Sequence, residues 1–201
     1  MLGGGVYPGC SHQAPPNSLL RPPETEFRPQ VNFWNESQFP LEVRVDVNMD
    51  QRFSDEVLIA TDFWNGIIER EVFRVTQEDL SSYTLNGQRT HPPYGMIYVQ
   101  TRRLGLGAEQ HQMLGMTTTF FNTVSPFSTE MDSAFVWIDE RLEHPEDIQE
   151  VILHELGHSL GLSHDRNISS IMYPFALDSE GQIMDEDIRY IRNEVEFRSP
   201  F

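Results

Sequence analysis

The sequence predicts an α+β domain, and three observations carry that reading. Leu41-Glu42-Val43-Arg44-Val45-Asp46-Val47 alternates apolar and polar side chains, the period-two pattern of a half-buried strand. Two later stretches, about 55–69 and 145–160, instead repeat apolar residues at helical spacing, with strand-like runs between them. The chain has 201 residues, 38% hydrophobic and 11% aromatic, enough for one domain with a core plus an extension.

The elements follow in order. Ser54 suits a helix N-cap, with Asp55 and Glu56 in the first turn, where the helix dipole favours negative charge. Val57, Leu58, Ala60, Thr61, Trp64, Ile67 and Ile68 form the buried stripe, and Asn65-Gly66 weakens the last turn. Phe73–Val75 reads as a short strand. Met96–Gln100 is a stronger one, after a turn at Pro92-Pro93 and Gly95. Leu104–Gly107 is a loop. Met113–Phe121, with its Thr117-Thr118-Thr119-Phe120-Phe121 run, and Ser133–Asp139 are strands. Pro145 opens the second helix, followed by Glu146 and Asp147, and Ile148, Val151, Ile152, Leu156 and Leu160 supply its buried stripe. A last helix is expected over about 185–195, through Ile188, Ile191 and Val195.

Residues 1–30 differ from the rest. Gly3-Gly4-Gly5, Pro8, Pro15-Pro16, Pro22-Pro23 and Pro29 break any apolar period, so 1–30 reads as a leader or pro-segment and 31–201 as the folded domain. The net charge is −17 and every basic residue is arginine. Such a chain repels phosphates and anionic lipid, which argues against nucleic-acid and membrane partners. The charge serves solubility or, alternatively, a preference for basic substrates. No apolar run is long enough to span a bilayer and no secretory signal peptide is visible. The single cysteine, Cys10, excludes an internal disulfide.

The second helix holds the chemistry. His154 and His158 are four apart and share one helix face, where two neutral imidazoles can hold a tetrahedral metal ion, Zn2+ above others. Glu155 lies beside the first ligand, placed to take a proton from water. Gly161 can adopt the left-handed conformation that ends the helix and returns His164 as third ligand. Three protein ligands leave a fourth position open, the catalytic arrangement. The full H-E-x-x-H-x-x-G-x-x-H pattern is far more specific than its first half and is the signature assigned to metzincins. Ser170-Ile171-Met172-Tyr173-Pro174 follows downstream as a methionine turn.

With both marks present, the chain resembles the metzincin zinc endopeptidases, and most closely the matrixins, whose turn similarly reads Met-Tyr-Pro. The resemblance implies a metzincin catalytic domain: a twisted, five-stranded, mostly parallel sheet, two long helices, and a small C-terminal subdomain with one helix. It implies a zinc metalloendopeptidase with His154, His158 and His164 on one Zn2+, Glu155 as general base, and Met172 and Tyr173 in the structural turn beneath. It implies a protein or peptide substrate lying as an added strand along Leu114-Gly115-Met116-Thr117-Thr118, which otherwise reads as a plain core strand. Pro174 and Phe175, with Leu153 nearby, would wall the S1′ pocket. Cys10 would occupy the open zinc position in a latent zymogen, against an incidental thiol as the other reading. A secreted, monomeric protein is expected by the same resemblance. A zinc-binding pseudoenzyme or interaction module without turnover is the alternative function.

Two departures stand out. Asp165 follows the third histidine where vertebrate matrixins usually carry serine, an aspartate there being more like the adamalysins, and is expected to bond backbone near the methionine turn. The matrixin structural-zinc pattern is absent, so one zinc ion is expected and His91, His111 and His144 read as surface or local hydrogen-bonding residues. Ca2+ stays open: carboxylates abound, but no motif supports a site.

Overall fold

The computed structural model describes residues 2–6, 32–80, 93–106, 112–125, 128–175, 177, 181–185, 188 and 191. Five strands make the body of one sheet: β3 (Leu41–Asp46), β4 (Phe73–Glu78), β5 (Met96–Arg102), β6 (Gly115–Ser125) and β7 (Ser128–Asp139). Two short strands from the N-terminal region, β1 (Leu2–Val6) and β2 (Asn32–Trp34), join them. The order is β1-β6-β7-β5-β3-β4, with β2 beside the start of β7. β3, β4, β5 and β7 pair in parallel, and β6 runs antiparallel to β7. The fold is the α+β class expected, with two long helices, α1 (Gln51–Ile68) and α2 (Pro145–Ser159).

Burial explains the strand sequences. β3 keeps its alternation, with Leu41, Val43 and Val45 buried under the helices. Its other face carries charge: Arg44 bonds Glu78 on β4 and, at 3.1 Å, Glu42 on its own strand. The central strands β5 and β7 are covered on both faces, so Ile97–Val99 and Ala134–Ile138 read as continuous apolar runs. Away from the helices, Phe135 stacks on Trp137 at 5.1 Å, joined by Tyr98, Leu80 and Leu104 in a second apolar cluster.

α1 begins one turn earlier than the sequence predicts. Asp50, not Ser54, is its N-cap, accepting from Arg52 N–H at 3.1 Å, and Ser54 is buried in the first turn. Asp50 already satisfies the free N–H groups there, so the helix gains its first turn. Leu58, placed in the stripe by spacing, is 48% exposed, and Phe53 takes a buried place instead. Asn65 does not weaken the helix end. Its carboxamide accepts from Val72 N–H and Phe73 N–H and donates to Phe73 O, tying α1 to the start of β4. The strands also extend past the expected limits of 73–75, 96–100 and 133–139. Of the expected C-terminal helix, Asp185, Ile188 and Ile191 are helical, and the remainder lies outside the described residues. No described helix is long and apolar enough to cross a membrane.

Candidate active site

α2 starts as the sequence indicates, with Pro145 in the first turn and His144 at an N-cap position where its imidazole makes no capping bond. From Val151 to Leu160 every residue is buried. A helix buried all round must find partners for each polar group it carries. Here those groups are His154, Glu155, His158 and Ser159. Gly157 lets this segment fit: a Cβ there would lie 2.5 Å from Met172 Sδ and 3.2 Å from the Trp64 ring. Trp64, on α1, donates its indole N–H to Leu153 O at 3.1 Å, and Trp34, on β2, caps Ser159 O at 2.7 Å.

The helix end makes the return to His164. Gly161 has φ 98°, a left-handed conformation costly for other residues. Gly161 N–H reaches His158 O at 3.0 Å and Leu162 N–H reaches Gly157 O at 3.1 Å, the Schellman closure of a helix C-terminus. This turn aims Leu162 O at His158, whose Nδ1 donates to it at 2.8 Å. His154 Nδ1 donates in the same way to Ile171 O at 2.6 Å. Both rings are thereby set with the proton on Nδ1 and with Nε2 as the unprotonated, ligating nitrogen.

The three ligand nitrogens converge within 4.8 Å of one another, the only such cluster among the described residues. His154 Nε2 and His158 Nε2 are 3.0 Å apart, and His164 Nε2 is buried with no hydrogen-bond partner. Protons cannot easily relieve this arrangement. Burial pushes the His154 pKa from about 6.5 down to about 4, outweighing the bond to Ile171 O. His158 and His164 are also held well below the ordinary range, first by burial and then by the neighbouring imidazoles. Neutral, oriented imidazoles with an orphaned buried nitrogen fit a divalent zinc ion by the chemistry of their donors.

The turn beneath is built from backbone. Tyr173 N–H bonds Ser170 O at 3.0 Å and Met172 N–H bonds Ser170 Oγ at 3.1 Å. Met172 is fully buried with its sulfur against Gly157, between the first two histidines. Asp165 reaches the turn through its backbone N–H, which bonds Met172 O at 2.9 Å, while its carboxylate accepts from Asn167 N–H at 3.0 Å. Tyr173 and Phe175 are half-buried with ring centroids 5.7 Å apart, and Pro174 between them is buried.

β6 passes over Glu155. Leu114 is buried just ahead of it, its carbonyl accepting from Asp139 N–H at 2.7 Å. Gly115 lies against the Glu155 side chain, and Thr117 bonds its carboxylate at 2.6 Å. Met116, on the opposite side of the strand, packs against the second apolar cluster. The sequence places Thr117 in the candidate substrate strand and Trp64 in the α1 stripe, but gives no sign of their bonds to α2 or of that from Trp34. No local pattern marks these bonds, since each spans at least 38 positions. Cys10, His91 and His111 lie outside the described residues.

The family model described as Matrixin matches residues 107–194, a little under half of the chain. That stretch holds β6, β7, α2, all three histidines and the methionine turn. The interstitial collagenase of Aquarana catesbeiana is 53% identical over 38 residues, 19% of this chain and 10% of the collagenase. The chain thus matches about a tenth of that relative's length. The crystal structure of archaemetzincin from Methanopyrus kandleri is 13% identical, covers 78% of this chain and 96% of its own, and superposes with a TM-score of 0.43. The matrixin match spans the three-histidine cluster, and the two together support zinc peptidase activity.

Proposed function

We propose that the protein is a zinc-dependent endopeptidase that cleaves protein or peptide substrates. The observation that carries this reading is the convergence of three buried, neutral imidazoles with Glu155 next in chain to the first of them. One zinc ion, held by His154, His158 and His164, would supply Lewis-acid polarisation of the scissile carbonyl and of water. Glu155 would accept the proton of the attacking water and return it to the leaving amine. His154 and His158 keep their lone pairs aimed inward through their bonds to Ile171 O and Leu162 O. The substrate would lie along the outer side of Leu114, Gly115 and Met116, with Pro174 and Phe175 walling the pocket for the residue after the cut.

Latency through Cys10 belongs to the same proposal, with 1–30 as the pro-segment and 31–201 as the catalytic domain. The pairing of the chain's start with the cleft strand supports it. Leu2–Val6 lies antiparallel on β6, from Asn122 to Thr118. Its C-terminal end therefore points along β6 toward Gly115 and the site. A thiolate is a strong zinc ligand and would fill the open position. Secretion and a monomeric state are proposed on the likeness to matrixins.

The test is digestion of mixed proteins by zinc-loaded full-length, leader-trimmed and Cys10→Ala protein, with and without chelator. We expect the full-length protein to be latent, the other two active, and chelation to abolish cleavage. Glu155→Ala should keep fold and zinc content and lose at least about 100-fold in rate. A trimmed, zinc-loaded protein that cuts nothing would refute the peptidase reading in favour of a zinc-binding module. A Cys10→Ala protein no more active than full-length wild type would refute latency through the thiol.

A further inference from the structure

Glu155 has no room of its own on α2. Its side chain is fully buried between the helix and β6, in a niche made by two residues of that strand. Gly115 forms one wall. A Cβ at this position would stand 2.5 Å from Glu155 Oε1, 2.7 Å from its Cγ and 2.9 Å from its Cδ. No real Cβ approaches so closely, so the carboxylate sits there because residue 115 lacks one. Thr117, two residues on and therefore on the same face of the strand, forms the other wall. Its hydroxyl lies 2.6 Å from Glu155 Oε2 and 3.0 Å from Glu155 O, and the side chain is fully buried.

We propose that Gly115 and Thr117 are positioning residues that seat the Glu155 carboxylate, Thr117 by donating to Oε2 and Gly115 by leaving space for Oε1. The arrangement divides the carboxylate's work. Oε2 is tied to the sheet by a short hydrogen bond, and Oε1 sits in the space that Gly115 leaves, as the oxygen that would receive the proton. A glutamate side chain has several staggered rotamers, and the contacts with Gly115 and Thr117 select among them. Fixing it beforehand removes reorganisation from the chemical step. The bond joins β6 to α2, so it also couples the strand that would bind substrate to the group that would act on it.

This inference rests on the peptidase reading, and the experiment separates their failures. Thr117→Val removes the hydroxyl at nearly constant size, Thr117→Ser keeps it, and Gly115→Ala inserts the methyl group. In leader-trimmed, zinc-loaded protein we expect Thr117→Val and Gly115→Ala to lower kcat about tenfold or more with zinc content close to wild type, Thr117→Val leaving KM near wild type and Gly115→Ala also lowering Tm because its methyl group crowds the buried Glu155 side chain. Thr117→Ser should restore kcat to within a few-fold. Crystal structures of Thr117→Val and Gly115→Ala should show the Glu155 carboxylate moved from its wild-type position, a readout that stands even if wild type proves inactive. A carboxylate unmoved in both variants overturns the proposal. So does a Thr117→Val kcat at the wild-type level, or an equal loss in the serine and valine variants. Inactivity of trimmed wild type would instead defeat the peptidase reading alone.

Discussion

α1 and α2 are long helices packed on the same face of one sheet, yet they use their surfaces differently. α1 is one-sided: Phe53, Val57, Ala60, Trp64 and Ile68 face inward, while Leu58, Ile59 and Phe63 stand at 40% exposure or more. α2 is one-sided only in its first turns. From Val151 onward it is enclosed by α1, β6 and the methionine turn, and it buries an acid and two imidazoles. A helix with a free face tolerates what points outward. One enclosed on all sides turns every polar residue into a demand for a specific partner. Ile171 O, Leu162 O, Thr117 and Leu156 O meet those demands for His154, His158, Glu155 and Ser159.

Three perturbations test that contrast, the largest first. The sharpest is acid. His154, His158 and His164 have folded pKa values below the unfolded one, so the unfolded chain binds more protons as pH falls. The stability of zinc-free protein should be full above about 6.5 and decline steadily toward about 4, the value for His154. Thermal melts of chelated protein across that range check this, and a Tm unchanged from pH 7.5 to 5 would contradict it. Zinc-loaded protein should resist the decline until protons displace the metal.

The second perturbation is steric. Gly157→Ala would bring a methyl group to 2.5 Å from Met172 Sδ. It should destabilise the fold by about 1–3 kcal/mol as the buried sulfur is forced aside, although alanine has the higher helix propensity. Gly66→Ala on α1, where a Cβ meets nothing within 4 Å, should instead leave stability level or improve it by about 0.5–1 kcal/mol. Urea unfolding of the two variants gives the comparison, and equal effects would erase the difference drawn between the helices. The third is the smallest: Leu58→Glu, on the open side of α1, should change stability by no more than about 0.5 kcal/mol.

Tertiary context corrects the sequence reading at both ends of α1. The sequence reading places the cap at Ser54. Asp50 prevails because Phe53 then enters the core, a gain that cap chemistry alone does not reveal. Asn65-Gly66 reads as a breaker, but Asn65 is satisfied by the backbone of residues 72 and 73 beyond the helix.

What the sequence by itself determined is local and periodic: the alternation of β3, the helical period of α2, the offset of His154 from His158, and the left-handed glycine that ends the helix. These follow from backbone geometry within a few residues, so spacing suffices to read them. Only the tertiary structure decided what those residues meet. The carbonyls that fix the imidazole tautomers, the methionine sulfur against Gly157, the N-terminal strand on β6, and the Gly115–Thr117 seat of Glu155 all come from other elements. Such contacts leave no period in the chain. They arise when packing brings distant segments together and burial makes each polar group's partner obligatory.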